Sequence, residues 1–409
     1  MSILTEGEAH SSADGPGILP RRKGMGSLVV ERAESLRVGG VALNLHANGW
    51  RALEELGVAD DLRRTATLIT SSRIVRRRHN QTSVSSARKE NRCLRRKDVV
   101  EALAKNVTAG TIRYGCQVVA IHQDPATNGA LLTTADGKTI KAKVVVGCDG
   151  WNSVVVRHVG LAAPSQYARF IVLGFASYPE GHPFGPEFMQ VIRDDFTVGV
   201  VPVDGNLVHF FASRAARGDT CAGAGADDVK SEEAAARAYV LEKVEEFPAG
   251  GEVAEMVSRR RFDPATSWTL TKVWYRPPWQ VALGRFRRGA VTVAGDAMHA
   301  MGPFIGQGGA AALEDAVVLA RSLSSRAAWL GGGDHKQQPH DDDDDDVGAA
   351  IDGYVAERRL RLTKLSLHSF AIGTLLTTRS LVVKLLCVAV QALLGGDSRP
   401  DENYDCGRL

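Results

Sequence analysis

The chain has 409 residues, with 44% hydrophobic and 24% charged residues and a net charge of +3 from 50 basic and 47 acidic side chains. This composition excludes a wholly disordered chain, which would have fewer apolar residues and a larger net charge. The small basic excess also argues against a nucleic-acid-binding protein. The six cysteines lie far apart without a CxxC pair, so we expect free thiols, no metal site and a cytoplasmic location.

The first part of the chain predicts a mixture of loop and strand. Residues 1–24 are rich in glycine, serine, proline and charge, and we expect them to be unstructured. Ser27–Glu31 is a short apolar run that ends in an acid, which predicts a buried strand. Residues 111–148 predict further strands, and the pair Asp136-Gly137 predicts a hairpin turn between two of them.

The later parts of the chain change in character twice. Residues 165–215 are rich in β-branched and aromatic residues, which predicts a mostly antiparallel sheet. Helical patterns follow in 230–260 and 349–394, and the Asp-rich segment 331–347 predicts an unstructured loop. Strands and helices alternate at both ends of the chain. This order predicts a nucleotide-binding α/β domain that is interrupted by a second domain.

The segment Val291–Asp315 has the sequence VTVAGDAMHAMGPFIGQGGAAALED and combines a buried strand, an acid and a glycine-rich helix start. Glycines at a helix start let a ligand approach the backbone N–H groups, and the helix dipole favours negative charge there. An acid after a strand can bind sugar-type hydroxyls. The segment therefore predicts a cradle for a nucleotide-like cofactor. The alternative is a glycine-rich turn that only caps a helix.

The pattern GDAxHxxxPxxGQGxxxxxED resembles the flavin-contacting motif of group A FAD-dependent monooxygenases, the family of p-hydroxybenzoate hydroxylase and zeaxanthin epoxidase. His299 matches the histidine of the motif, although it could equally be a packed histidine near a helix end. Ala300 stands where a proline is common. The resemblance implies that Asp296 holds the ribityl chain of FAD. It also implies that Gly295 belongs to the cofactor site and that the isoalloxazine ring lies beside Pro303, Gly306, Gln307, Gly308 and Gly309.

A second segment, Val146–Arg157 (VGCDGWNSVVVR), resembles the family's Asp-Gly motif, which touches FAD and is linked to NAD(P)H use. Asp149 and Gly150 carry this match. Ser153 and Arg157 follow, and one more residue lies between them than in many members of the family. Without the first motif, an Asp-Gly pair after a strand would be only a turn.

Two further matches concern single charged residues. Arg96–Val99 (RKDV) resembles the family's Arg-x-x-Leu element, in which the arginine contacts the cofactor, and Arg95 is an adjacent candidate for Arg96. Ser27–Glu31 resembles the second strand of the family's Rossmann unit. Glu31 then matches the acid that binds the ribose hydroxyls of adenosine. Otherwise it would be an ordinary charge at a strand end.

A Rossmann unit has a strand, a GxGxxG turn and a helix before that second strand. Residues 1–24 show neither an apolar strand nor a helical pattern, and Gly24-Met25-Gly26 leads into a strand instead of a helix. The resemblance therefore implies that the first strand, the glycine turn and the first helix are missing and that residues 1–24 are an unrelated replacement. Because the FAD pyrophosphate normally lies on that helix, we expect weak or no FAD binding.

The implied fold is α/β, with an FAD/NAD(P)-binding Rossmann-like domain, incomplete at its N-terminus, and an inserted antiparallel-sheet substrate domain. The predicted division of the chain is a leader 1–24, cofactor-domain segments 25–160 and 285–330, a substrate domain 161–284, an Asp-rich loop 331–347, a helical segment 348–395 and a tail 396–409.

The implied function is an FAD-dependent monooxygenase that uses NAD(P)H and O2 to oxygenate a small organic substrate through a flavin hydroperoxide. Nucleic acid is not an expected partner. The apolar stretch Leu375–Leu394 is interrupted by Arg379 and Lys384, so at most a peripheral membrane contact is expected there. The alternative is a truncated, non-catalytic form that acts by interaction. No catalytic base is identified by the sequence.

Overall fold

The structure is a computed structural model. It describes residues 2–6, 26–76, 81–86, 89–125, 127, 129–150, 152–193, 196–215, 238–240, 242–243, 269–325, 342–394 and 401–409. The strands of the described chain are β1 Ser2–Glu6, β2 Leu28–Val30, β3 Ala42–His46, β4 Thr67–Leu68, β5 Ser71–Arg76, β6 Gln81–Ser86, β7 Asn91–Arg95, β8 Ile112–Arg113, β9 Val118–Gln123, β10 Ala130–Thr134, β11 Thr139–Gly147, β12 Ser165–Ser177, β13 Glu187–Arg193, β14 Phe196–Pro202, β15 Leu207–Ala215, β16 Thr269–Tyr275, β17 Arg287–Arg288 and β18 Val291–Val293.

The helices of the same residues are α1 Ala47–Glu55, α2 Ala59–Arg63, α3 Arg96–Lys105, α4 Val154–Val159, α5 Pro278–Leu283, α6 Asp296–His299, α7 Gly308–Ser325, α8 Asp342–Thr377 and α9 Leu381–Leu393. Local sequence explains several of their ends. Ser153 caps α4 by accepting a hydrogen bond from the Val156 N–H at 2.9 Å, and Gly160 ends it with a φ of 81°.

The first sheet has the strand order β17-β18-β11-β1-β2-β8, with β10 and β9 extending it from β11. β18 runs parallel to β11, with Val291 opposite Val145, and β2 runs parallel to β8. The valines of β18 and of the second half of β11 are buried, as expected of strands covered on both faces. Helices α1, α4, α7 and α8 share this core. Helices α1 and α7 pack closely at Gly49, where a Cβ would lie only 3.2 Å from the Ala310 Cβ.

Strand β1 corrects the expectation for the start of the chain. We expected residues 1–24 to be unstructured and the central strand of the sheet to be absent, but Ser2–Glu6 form a strand between β11 and β2. This strand is antiparallel to both neighbours, and Ser2 lies opposite Gly147 and Val30. It pairs backbone groups of β11 and β2 that would be costly to bury without partners. The central position is therefore filled, but by a strand of the opposite direction.

The second sheet has the order β16-β12-β15-β14-β13-β5-β6. Its neighbours are antiparallel except for β13 and β5. Together with the first sheet, it confirms the predicted α/β fold with an inserted antiparallel sheet. Strands β5 and β6 belong to this sheet although they precede the predicted insert. The helix predicted in 230–260 falls mostly outside the described residues.

The third sheet, β3-β7-β4, connects the other two. Cys93 of β7 is fully buried and packs in one cluster with Ile69 and with Val201 of the second sheet. β3 leads directly into α1, whose Trp50 and Leu53 belong to the core of the first sheet. The third sheet therefore fixes the inner face of the second sheet against the first.

One prediction for the C-terminal part is corrected. Residues 331–347 were expected to be an unstructured loop, but α8 begins at Asp342. In the expected tail 396–409, residues Asp401–Asn403 form a 3-10 helix, and Asp401 and Cys406 are buried. The Arg361 Nη1 donates to Asp401 Oδ1 at 3.0 Å, so the tail packs onto α8.

Candidate functional site

The loop after β18 brings most of the predicted residues together. Gly295 takes a φ of 60° and a ψ of −142°, a conformation open essentially only to glycine, and Asp296 follows it with an exposed side chain. The chain then passes through a 3-10 turn at Pro303–Ile305. Gly306, with a φ of 64°, redirects it into α7. Asp296, Pro303, Gly306 and Gly309 are exposed, and Gln307 is buried.

Gln307 is held from beneath by Asn48 of α1. The Asn48 Nδ2 donates to Gln307 Oε1 at 2.8 Å and to Glu314 Oε1 at 2.7 Å, and all three side chains are fully buried. The Gln307 Nε2 is buried without a hydrogen-bond partner among the described residues. A buried donor without a partner is costly, which is consistent with a ligand acceptor beside it.

Asp315 fixes the backbone of the same loop. Its carboxylate accepts the Gly295 N–H at 2.9 Å, His299 Nε2 at 2.7 Å and Arg358 Nε at 2.7 Å. Burial alone would raise the pKa of Asp315. The neighbouring His299 and Arg358 outweigh that effect, and the hydrogen bonds add to theirs, so the pKa is lowered to about 2. His299 is completely buried and contacts Asp315, which favours the interpretation that it is a packed histidine near a helix end.

The ion pairs extend into a buried network. Arg358 Nη2 donates to Glu314 Oε2 at 2.7 Å, and Arg361 Nη2 donates to Glu314 Oε1 at 3.1 Å. Arg361 then reaches Asp401. Sequence reasoning missed Arg358 and Arg361. The Glu-Asp pair that ends the motif was a signal for buried cationic partners, but it does not indicate which arginine supplies them.

Asp149 and Gly150 lie at the end of β11, beside the loop after β18, because β11 and β18 are parallel neighbours. Asp149 Oδ2 accepts the Val154 N–H at 2.9 Å, and its Oδ1 is buried without a partner in the described chain. Gly150 has a φ of 82°, which favours glycine. The Asp-Gly turn thus starts α4 and leaves one carboxylate oxygen available.

Glu31 lies just after β2 at the same edge of the first sheet and is 7% exposed. Its carboxylate accepts the Ala33 N–H at 2.9 Å and Arg37 Nη2 at 3.2 Å. Burial would raise the pKa of Glu31, but the net shift is a lowering, to which the Ala33 N–H and Arg37 contribute. Glu31 is therefore an ionised acid, held in place by its own loop.

Arg96 begins α3 and holds the loop before β3. Its Nη1 donates to the Gly39 carbonyl, and its N–H donates to the Val41 carbonyl at 2.8 Å. Its side chain stays exposed. The competing Arg95 pairs instead with Asp204 of the second domain at 2.7 Å. The geometry favours Arg96 over Arg95 as the residue facing the predicted site.

His46, at the end of β3, was not anticipated as part of this site. Its Nε2 lies 3.9 Å from the position that a Cβ on Gly306 would occupy, and its Nδ1 lies 3.6 Å from Glu402 Oε2. Burial lowers the pKa of His46, partly opposed by the Glu402 carboxylate. His46 therefore lies next to the glycine loop.

The inner face of the second sheet carries rings that the sequence did not single out. Phe211 of β15 stacks on Phe188 of β13 with centroids 6.0 Å apart. It reaches across β14 only because Gly199 has no side chain, since a Cβ there would lie 2.3 Å from the Phe211 ring. On the same face, His209 Nδ1 hydrogen-bonds to the Gly174 carbonyl at 2.9 Å, and burial lowers its pKa to about 4.

A second aromatic group connects this face to the glycine loop. Tyr167 stacks on Tyr275 with centroids 4.0 Å apart and meets the edge of Phe304, from the loop, at 5.4 Å. Gly373 of α8 permits this packing, since a Cβ there would lie 2.5 Å from Phe304. Ser369 Oγ, also on α8, donates to the Gly302 carbonyl at 2.8 Å. The loop is thus enclosed between α8 and the aromatic face.

Comparisons with known proteins agree with this geometry. Residues 17–335 match a family model described as an FAD binding domain. Monooxygenase 1 of Arabidopsis thaliana is 40% identical over 391 residues, which cover 95% of this chain and 94% of that protein. Monooxygenase 2 of the same plant is 29% identical, covering 95% and 93%. HpxO of Klebsiella pneumoniae, solved with FAD and uric acid, has a TM-score of 0.70 at 19% identity, covering 95% and 92%. A salicylate hydroxylase substrate complex has a TM-score of 0.67 at 21% identity, covering 93% and 95%.

Proposed function

The chain belongs to the FAD-binding monooxygenase family, and from that premise we propose that it uses NAD(P)H and O2 to oxygenate a small aromatic substrate. The observation that carries the proposal is the loop from Gly295 to Gly309. Asp315 and Asn48 fix it from the buried side, while Asp296, Gly306 and Gly309 stay exposed. A fold fixes a loop in this way when the loop must present a preformed surface to a ligand.

The residues at the flavin end fit FAD. Asp296 would hold the ribityl hydroxyls, and the loop from Pro303 to Gly309 would lie along the isoalloxazine ring. The unpartnered Gln307 Nε2 and Asp149 Oδ1 are a donor and an acceptor that a bound cofactor would satisfy. Arg96 and Glu31 would contact the remainder of the cofactor. FAD supplies the redox chemistry when bound, and the protein positions it and its substrate.

The second sheet supplies the substrate side in this proposal. The Phe188–Phe211 stack offers a flat apolar surface that suits a planar ring. His209 is neutral above about pH 4, and its Nδ1–H donates to Gly174, so its Nε2 is left as an acceptor. We infer that this acceptor orients a hydroxyl or amino donor of the substrate. The enclosure by Phe304 and Tyr167 would exclude water from the reacting centre.

The pyrophosphate end fits less well. In the family's fold a parallel central strand leads to a helix N-terminus at the cofactor edge, which binds the pyrophosphate. Here β1 starts at that edge, because Ser2 pairs with Gly147 and Val30, and the chain leaves β1 at the opposite edge. Residues 2–6 therefore do not run in the direction of a Rossmann central strand. We infer that FAD binds weakly and mainly through its flavin end.

The test is to titrate the purified protein with FAD by flavin fluorescence. NADPH or NADH oxidation and O2 uptake are then recorded at saturating FAD with hydroxylated aromatic acids such as salicylate. We expect saturable FAD binding and reduced-nicotinamide oxidation that a substrate accelerates. An Asp296→Ala variant should bind FAD about 10- to 100-fold more weakly while keeping its free energy of unfolding. If the wild-type protein oxidises no reduced nicotinamide at saturating FAD, the proposal is wrong.

A second candidate function is a non-catalytic form that acts by interaction. The antiparallel direction of β1 favours it, because a Rossmann unit has a parallel strand at that position. This candidate predicts no flavin binding at any concentration. The same titration therefore separates the two functions.

A further inference from the structure

Helix α9, Leu381–Leu393, presents a large apolar face to solvent. Six large apolar side chains on it are between 53% and 86% exposed, namely Leu381, Val382, Leu385, Leu386, Val388 and Leu393. Single exposed apolar residues are ordinary on protein surfaces, but a contiguous group of this size marks a binding surface. These six residues are called the α9 face below.

The opposite side of α9 fixes the orientation of this face. Cys387 is buried against the rest of the protein, and Gln391 Nε2 donates to the His368 carbonyl of α8 at 3.1 Å. The Ser380 hydroxyl accepts the Val383 N–H and so caps the helix. The α9 face is therefore the outer side of a docked helix and not the result of a displaced one.

We propose that the α9 face lies on a bilayer surface that contains anionic lipid. The cations Arg379 and Lys384 are exposed beside the face, and the sequence has no acid from Arg379 to Leu394. An apolar helix face with adjacent cations binds in the plane of such a surface. Among the described residues no helix is long and apolar enough to cross a membrane. The 13 residues of α9 extend only about 20 Å, which suits a helix that lies along the interface.

Charge also favours a bilayer over a second copy of the chain. In a two-fold pairing the α9 face would meet the same face of its partner copy. The Lys384 ammonium groups of both copies would then approach one another, and α9 offers no acid to neutralise them. Anionic headgroups would neutralise both Arg379 and Lys384. The proposal is independent of the proposed oxygenation chemistry.

The test is co-sedimentation of the purified full chain with vesicles of phosphatidylcholine alone or mixed with phosphatidylserine. We expect binding to the mixed vesicles and much weaker binding to phosphatidylcholine. Leu385→Glu/Leu386→Glu should lower the partition coefficient by at least about tenfold, because two apolar groups and two charges are changed. Arg379→Gln/Lys384→Gln should lower it on mixed vesicles by about fivefold for each cation removed.

The matched control is Leu283→Glu/Leu360→Glu, which changes two leucines that are more than 80% exposed on α5 and α8. It should bind vesicles like the wild type. Thermal unfolding of each variant shows that it is folded. The proposal is overturned if neither vesicle binds the protein, or if the α9 variant binds as well as the wild type. It is also overturned if the control loses binding equally, or if the α9 variant only turns a dimer into a monomer.

Discussion

The two ends of the predicted cofactor site, at one edge of the first sheet, differ in how the fold supports them. At the flavin end, the loop after β18 rests on fully buried ion pairs from Asp315 and Glu314 to Arg358. At the adenosine end, the Glu31 carboxylate accepts the Ala33 N–H of its own loop, and the strand beside it runs in the opposite direction from a Rossmann central strand. The loop at the flavin end is therefore fixed by buried contacts with distant segments of the chain, whereas the strand beside Glu31 does not run in the Rossmann direction.

The largest expected effect is at the buried network. Arg358→Met leaves the Glu314 and Asp315 carboxylates buried without their main cation. We expect the free energy of unfolding to fall by about 3–5 kcal/mol, as for other broken buried pairs. Urea denaturation measures this loss. The control is Arg287→Met, which breaks the exposed pair with Asp352 and should cost under about 1 kcal/mol. Equal losses would show that the network does not support the flavin end.

The next effect concerns FAD affinity at the flavin end. Asp296→Ala removes an exposed carboxylate, so we expect little change in stability. Loss of a hydrogen bond to a charged group should raise the FAD dissociation constant by about 10- to 100-fold. Fluorescence titration measures this constant, and Asp296→Asn should recover part of the affinity. An unchanged dissociation constant would show that Asp296 does not bind FAD.

The pH dependence of the free energy of unfolding should show the contribution of the Asp315 carboxylate. Its pKa is lowered to about 2 in the folded protein, below its value in an unfolded chain. A lowered pKa stabilises the folded state at pH values above the unfolded pKa, and this contribution is lost as the pH falls through the folded pKa. We therefore expect about 2 kcal/mol of stability to disappear between about pH 4 and pH 2. In Asp315→Asn this loss should be absent, and an unchanged acid profile would contradict the assignment.

The smallest effect should be at the adenosine end. Glu31→Gln keeps the shape of the side chain and removes its charge. If FAD binds mainly through its flavin end, the dissociation constant should change by no more than about threefold. The same titration checks this value. A loss as large as that in Asp296→Ala would break the contrast between the two ends.

The sequence predicted most of the flavin end because its residues lie within one short segment, where strand, turn glycines and helix start follow in order. It could not predict that Arg358 and Arg361 hold Glu314 and Asp315, since those contacts join residues more than 40 positions apart. Nor could it predict β1, because SILTE is too short to show a strand pattern. Its pairing depends on the unsatisfied edges of β11 and β2.

The aromatic face of the second sheet could not be predicted from the sequence for a related reason. Alternation in 165–215 predicts strands but does not show which strands are neighbours. The stack of Phe211 on Phe188 depends on the order β15-β14-β13 and on Gly199 between them. His46 was missed because it approaches Gly306 only through the folded loop.

The most direct test of the contrast between the two ends compares FAD with FMN, which lacks the adenosine part. Both are titrated into the purified protein under the same conditions. We expect FAD to be lost on gel filtration and the two dissociation constants to differ by less than about tenfold. Stoichiometric FAD that survives gel filtration, or a preference for FAD of more than about 100-fold, would contradict it.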